Sequence, residues 1–362
     1  MAPNFNHYKA GFLNKLAEFD SSVQLTILAG KTEIQQGHKE FSGELGALTI
    51  DTINVTKENF GFSLEVVCYL HRHFHEYDWV MIPREKKFFL LILFGVVLRF
   101  CHNSKTKLFS YNHPITSSHK KFSLMDKIST YLFYRWYDRI IFYNQASYKW
   151  AIDHRYIKPQ KAFWANNTLD SDKIDACSKF RYPDFDTPGI LYIGRLIASK
   201  KIELLFKYYY YLTNLFKKQK ISLRLFIIGD GPLRNTVQQH ADIDDDITWY
   251  GAVTDEPKIA SVMKSCSIVF IPGSSGLSIN HAFLYGRPYV TIQADDHGPE
   301  ISYLADGKNG LLLNGDFATD VKRLYSILSD RHLLKLLCDN ALDSGKQLTI
   351  QNWCSRISDA LN

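Results

Sequence analysis

Residues 189–201, Gly-Ile-Leu-Tyr-Ile-Gly-Arg-Leu-Ile-Ala-Ser-Lys-Lys, restrict the architecture more than any other stretch. Ile190 to Ile193 are uninterrupted apolar residues, the pattern of a strand buried on both faces, and such strands belong to parallel sheets covered by helices. Gly194 permits a tight turn after the strand. Ser199 is placed to cap a helix running from Lys200 to about Lys218. A strand, turn and helix in this order bring Arg195 and Lys200 to a helix N-terminus, where backbone N–H groups and the positive dipole end add to the two charges. That combination suits a doubly charged phosphate group. An exposed Arg and Lys on an ordinary strand–helix connection explains the stretch equally well.

The same rhythm runs through the chain. Helix patterns cover 8–19, 62–75, 85–99, 127–137 and 145–153, between strand patterns at 23–28, 48–55, 79–82, 107–111, 138–143 and 161–164. Residues 1–6 are not a buried strand, so the first strand of an α/β domain is missing or minimal at this end. Residues 176–188 have no period and read as a linker. Strands then follow at 189–193, 223–228, 247–250, 268–271, 288–292 and 311–313, with helices at 200–218, 232–239, 255–265, 278–285, 298–304, 317–328 and 331–342. Alternation of this kind implies an α/β chain of two doubly wound domains, residues 1–180 and 181–345. A last helix within 346–362 packs back on the first domain. Ligands of such sheets sit beyond the carboxyl ends of the strands, where Arg195 and Lys200 fall.

A chain of 362 residues is long enough for two full cores. Residues 1–183 carry 24 Lys and Arg against 17 Asp and Glu, whereas residues 184–362 carry 19 against 20, so the basic excess lies in the first half. Such a surface suits phosphate or anionic lipid; a generally solvated face accounts for it almost as well. Lys120, Lys121, Lys127, Arg135 and Arg139 interleave with Phe122, Tyr131, Phe133 and Trp136, which fits either a surface resting on a bilayer or a core helix with charged flanks. The most apolar segment, 88–100, is too short to span a membrane, which takes about 20 residues. The six cysteines are scattered without a CxxC and read as reduced thiols of a cytoplasmic protein.

In the second half several motifs occur in order. Gly194-Arg-Leu-Ile-Ala-Ser-Lys200 resembles the G-R-L-x-x-x-K signature of retaining family 4 glycosyltransferases. Phe226-Ile-Ile-Gly-Asp-Gly-Pro232 is similar to their I-G-D-G-P, and Trp249-Tyr-Gly-Ala-Val253 to their F-x-G-x-V. Gly276-Leu-Ser-Ile-Asn-His-Ala-Phe-Leu-Tyr-Gly-Arg-Pro288 resembles G-L-x-x-x-E-A-x-x-x-G-x-P except at His281, and Pro299-Glu-Ile with Gly307-Lys-Asn-Gly310 is similar to the family's ending. In the first half Tyr111-Asn-His113 sits after a strand, where the family carries an active-site His.

The resemblance implies the GT-B fold, two Rossmann-like domains facing a cleft. It also implies transfer of a sugar from a UDP- or GDP-linked donor with retention, with no metal and no other cofactor. Arg195 and Lys200 would hold the departing diphosphate, and His113 would contact the donor sugar. Gly194, Gly231, Gly276, Leu277, Ser278 and Glu300 would line the donor site, with Val253 against the base or simply in the core. His7, Tyr8 and Lys9 open the first helix, on the family's acceptor side. The acceptor would be a free or lipid-linked saccharide of a surface polysaccharide pathway, met at the inner face of the membrane through peripheral contact of the basic first half, and no nucleic acid is implied.

The family carries two glutamates eight positions apart, toward the donor sugar and toward the ribose; here the positions hold Gly273 and His281. A branch of polysaccharide-biosynthesis transferases is similar in having G-L-S-x-x-H-A-F-x-Y-G-x-P. A neutral imidazole at His281 can hydrogen-bond a ribose hydroxyl, and Asp295, Asp296, His297 or Glu300 are alternative polar contacts. The missing acids also admit a non-catalytic GT-B partner, or a GT-B sugar-nucleotide epimerase. His71, His73 and His75 have a metal-like spacing but no completing ligand nearby, so a solvated helix end is the better reading.

Overall fold

The computed structural model describes residues 1, 7–30, 48–53, 55, 59–101, 105–112, 124–177 and 179–362. They form two compact units, one of Met1–Asn167 with Ile350–Asn362, the other of Thr168–Thr349.

In the first unit α1 (His7–Phe19) precedes β1 (Leu25–Gly30), and β2 (Leu48–Ile53) pairs parallel with β1. The last four residues of β1, the strand expected at 23–28, are buried; residues 2–6, ahead of α1, lie outside the described residues. Then come α2 (Leu64–His73), β3 (Trp79–Met81), α3 (Phe89–Cys101), β4 (Lys107–Asn112), α4 (Leu124–Trp136), β5 (Arg139–Phe142), α5 (Gln145–Asp153) and β6 (Ala162–Trp164). Strands β3-β4-β5-β6 form a parallel sheet in that order. On α2 and the turn after it, His73 pairs with Glu76 at 3.0 Å.

The units divide at Asn167/Thr168, not within 176–188. Residues 171–177 form a helix, α6 (Ser171–Cys177), with Ile174 buried in the second core. Phe180 and Phe185, in the stretch without periodicity, also pack against that core. Burial of single aromatic side chains, invisible to a period test, ties the apparent linker down.

The second unit continues with β7 (Gly189–Ile193), α7 (Ile202–Lys217), β8 (Arg224–Ile228), α8 (Arg234–Ile243), β9 (Ile247–Trp249), α9 (Glu256–Ser265), β10 (Ile268–Phe270), α10 (Ser278–Leu284), β11 (Tyr289–Ile292), β12 (Gly310–Leu313), α11 (Phe317–Ser329) and α12 (Arg331–Lys346). Its six strands are parallel, in the order β12-β11-β10-β7-β8-β9. Every residue of β7 is buried, as its unbroken apolar run requires. On α7 (Tyr208–Tyr211 being an aromatic run) Tyr208 and Tyr209 are core, Tyr208 donating to buried Asp320 and Tyr209 to the Leu223 carbonyl, whereas Tyr211 is exposed. Residues 299–303 make a 3₁₀ turn in place of the expected helix. The final helix, α13 (Ile350–Leu361), belongs to the first unit, packs on α1, β5 and β6, and donates from Trp353 Nε1 to the Tyr111 hydroxyl at 3.0 Å. Among the described residues no helix is long and apolar enough to cross a membrane.

From β7 the chain winds outward through β8 and β9, then returns to lay β10 on the other side of β7. The loops leaving β7 and β10 therefore diverge from adjacent strands, which is the topological switch point where such sheets hold ligands.

Candidate functional site

The loop after β7 is held by backbone bonds from the loop after β8. Gly194 N–H donates to the Ile228 carbonyl and Leu196 N–H to the Asp230 carbonyl, both at 2.9 Å. This close approach dictates the two glycines of Gly229-Asp-Gly-Pro. A Cβ on Gly229 would lie 1.8 Å from the Gly194 carbonyl oxygen, and one on Gly231 2.6 Å from that of Leu196. Both glycines also have positive φ, +150° and +156°. Gly194 itself has no such need; a Cβ there would meet only ordinary contacts, including the Lys200 Cε at 3.9 Å.

Ser199 does not cap α7. Residues 198–200 form a 3₁₀ turn, Lys201 is left-handed at φ 53°, and α7 starts at Ile202. Arg195 is exposed, and its carbonyl accepts from the Tyr192 hydroxyl at 2.7 Å. Lys200 is half-buried and donates from Nζ to the Ser274 carbonyl in the loop after β10. Burial, with the nearby Arg195 charge adding to it, pushes the Lys200 ammonium down to about 8, against attraction from Asp296 and Glu300. The two cations therefore lie close enough to repel, at the switch point, with Asp296 and Glu300 near Lys200.

The loop after β10 is clamped onto this turn. Ser274 N–H donates to the Ser199 carbonyl at 2.8 Å and Gly273 N–H to that of Lys200 at 3.2 Å. A Cβ on Gly273 would lie 2.1 Å from the Ser199 oxygen and 2.6 Å from the Lys200 carbonyl carbon. Behind the loop, Ser275 bonds Thr291 at 3.1 Å and Tyr289 at 3.0 Å, and Tyr289 bonds Ser278 at 2.9 Å. His297 Nδ1 accepts from Ser275 N–H at 3.0 Å, and its Nε2 bonds the Ile292 carbonyl at 2.9 Å. Those partners assign the proton to Nε2, and burial holds the imidazole below its usual range. His297 thus latches the loop with both ring nitrogens and has none left for a sugar.

Gly276, Leu277 and Ser278 enter α10 with N–H groups that meet no acceptor among the described residues. Gly276 is open, with only Glu300 Oε2 at 4.0 Å from a Cβ placed there. Glu300 is buried beside it. Val253 is half-buried at the rim of the core, following Gly251, whose carbonyl accepts from Gly229 N–H at 2.8 Å.

His281 differs from its expected role. Its Nε2 lies 3.0 Å from Glu256 Oε1 on α9, and Tyr285 donates to the same oxygen at 2.7 Å. One of the two ring nitrogens, Nε2, is thus engaged by Glu256. Sequence spacing gave no sign of Glu256, which sits 25 residues upstream. His113 lies outside the described residues, as do the side chains of His7, Tyr8 and Lys9. The second unit therefore gathers Gly194, Arg195, Lys200, Gly231, Gly276, Leu277, Ser278 and Glu300 around the switch point, while His281, on α10, bonds Glu256.

Residues 187–330, within the second unit, match the family model described as Glycosyl transferases group 1. Among solved structures, one of Anabaena Alr3699/HepE in complex with UDP is similar at TM-score 0.69 and 15% identity, covering 99% of this chain and 98% of that one. The apo form of the lipopolysaccharide outer core galactosyltransferase WaaB is similar at TM-score 0.70 and 16% identity, covering 99% and 97%. Sucrose-phosphate synthase from Thermosynechococcus elongatus is similar at TM-score 0.64 and 14% identity, covering 99% and 97%. Full coverage at such identities establishes a shared fold, GT-B. No curated protein matches the sequence.

Proposed function

We propose that this protein is a retaining, metal-independent glycosyltransferase that moves a hexosyl group from a nucleoside diphosphate to a saccharide acceptor. The observation that carries the reading is the Lys200 ammonium. It is half-buried at the switch point, beside Arg195 and the open N–H groups of Gly276–Ser278, in surroundings that lower its pKa to about 8. A desolvated cation beside a second cation is stabilised by an arriving diphosphate, and more so as that diphosphate gathers charge in leaving. In the step itself the C1–O bond to the diphosphate breaks. The acceptor oxygen bonds C1 from the same face, and its proton passes to the departing phosphate oxygen. Arg195 and Lys200 take the place of a metal. UDP is the favoured nucleotide, since HepE binds it on the same fold. A lipid-linked saccharide of a surface polysaccharide, met at the inner face of a membrane, is the proposed acceptor.

The test is a thermal-shift series with UDP, GDP and ADP, followed by turnover of UDP- and GDP-hexoses. A nucleotide at about 100 times its Kd adds about 2.7 kcal/mol, a rise of about 5–10 °C for a domain this size. No rise with any nucleoside diphosphate at millimolar concentration sinks the reading. Gly273, which has no room for a side chain, and His281, tied to Glu256, favour one second reading: a non-catalytic nucleotide-binding GT-B partner. It is distinguished by a UDP-induced rise without release of UDP from any donor.

A further inference from the structure

The second unit has a basic hollow away from the switch point. Its wall includes Lys179, Phe180, Arg181, Lys264, Tyr285 and Arg287, and no carboxylate. Lys264 is in the last turn of α9, ahead of β10, and Arg287 precedes β11, so the hollow lies at the amino ends of these strands. The donor groups lie beyond the carboxyl ends. Strands rise about 3.3 Å per residue, so the four residues of β11 alone put about 10 Å between the two places.

The deepest member is Arg287, only 1% exposed. Its Nε donates to the Met263 carbonyl at 2.7 Å and its Nη1 to that of Arg181 at 2.9 Å. Its Nη2 finds no acceptor among the described residues. Nor does a neighbour cancel the charge. The Cys266 and Cys338 thiols feel it, yet burial pushes them up to about 11 and about 12, so both stay neutral at pH 7. Asp339 acts on Cys338 but already accepts from the Tyr182 hydroxyl at 2.5 Å. Helix ends explain part of the cluster: Arg287 serves carbonyls where α9 and α10 stop, and Lys264 complements the α9 dipole. Two helix C-termini bring about half a negative charge each, which leaves the four cations an excess of about three. Exposed Lys179, Arg181 and Lys264 are hydrated, but a buried guanidinium with an unspent nitrogen is not. An anion with several oxygens serves both, accepting from Nη2 and facing the exposed cations with the rest.

We propose that this hollow binds a phosphate group, free or as a monoester, apart from the donor site. Such binding does not depend on the transferase reading, and its test does not use turnover. The full chain is titrated calorimetrically with inorganic phosphate and with glycerol 2-phosphate, at an ionic strength held constant with chloride. Each titration is made on the unaltered chain saturated with UDP and on Lys200→Met, so that the donor site is filled in one and weakened in the other. One saturable site in both is expected. Arg181→Gln with Lys264→Gln, both exposed positions, lowers phosphate affinity at least tenfold, with UDP affinity and the phosphate-free melting temperature unchanged. Either change alone, weakening phosphate severalfold, serves if the pair misfolds. Tighter binding of the ester supports an organic phosphate as occupant, and tighter binding of inorganic phosphate the free ion. The proposal is overturned if phosphate binds neither protein beyond what chloride does, or if the doubly altered chain binds it as before. Failure of UDP to bind overturns the donor reading alone, since Lys200→Met still reports on the hollow.

Discussion

Between Ser199 and Gly273 there is no space for a side chain, because a Cβ on Gly273 would lie 2.1 Å from the Ser199 carbonyl oxygen. The atoms it meets are backbone and cannot swing aside. Gly273→Ala therefore forces the loop after β10 off the turn that carries Lys200, at a cost of about 2–3 kcal/mol and a fall in melting temperature of about 4–12 °C. Gly273→Glu, which introduces the acid that the sequence resemblance led one to expect here, is at least as damaging and gains no activity. Thermal unfolding of both variants checks this; a Gly273→Glu variant as stable as the unaltered chain would refute it.

Lys200 sets the pH dependence of nucleotide binding. Its folded value of about 8 lies below the 10.5 of an unperturbed lysine. Between those values the unfolded chain binds a proton that the ligand-free fold has released, so stability of the ligand-free protein rises with pH across that window. A diphosphate favours the charged form, so affinity is level below about pH 8 and falls as pH rises above it, approaching tenfold per unit. Lys200→Met flattens that profile and weakens UDP binding by roughly 10–100-fold, the worth of a charge-assisted hydrogen bond. Titration calorimetry at pH 7, 9 and 10 measures both; a slope that survives in Lys200→Met would show that another group titrates.

Two glycines of the site separate packing from binding. Gly231→Ala places a Cβ 2.6 Å from the Leu196 carbonyl oxygen at a φ of +156°, so it lowers the melting temperature. Gly276→Ala meets nothing nearer than Glu300 Oε2 at 4.0 Å, so the fold tolerates it. Its methyl group intrudes where Gly276–Ser278 offer their N–H groups, and UDP affinity falls at least tenfold with the melting temperature unchanged. Equal UDP affinity in Gly276→Ala would remove those N–H groups from the site.

The elements of the sheet were legible because β7, β10 and β8 from Leu225 are buried on both faces and so read as unbroken apolar runs. The boundary between units was not, because Phe180 and Phe185 bury one ring at a time and leave no period. Within the site, Arg195, Lys200 and the glycines stood in recognisable order, since they must follow particular strands. The bonds of His297 to Ser275 and of His281 to Glu256 join residues 22 and 25 positions apart, and no local pattern announces such pairs.

His281→Glu would introduce the second acid that the sequence resemblance led one to expect, yet it is predicted to destabilise this protein. The imidazole Nε2 now lies 3.0 Å from Glu256 Oε1. Burial opposes ionisation of Glu256, but the His281 and Tyr285 hydrogen bonds outweigh it and hold the carboxyl below its usual range. Glu256 therefore contributes stability above its unfolded value of about 4.5, and that contribution is lost as pH falls through the lower folded value. A glutamate at 281 replaces the donor with a second carboxylate, so the pair shares a proton and one pKa rises. The variant is then destabilised by about 2–4 kcal/mol near pH 7, and the deficit shrinks as pH falls through the raised value. His281→Gln, which keeps a donor for Glu256, stays close to the unaltered chain. Melting temperatures at pH 5 and 7.5 decide it: a gap between His281→Glu and the unaltered chain that does not narrow at pH 5 would mean that Glu256 is not what position 281 answers to.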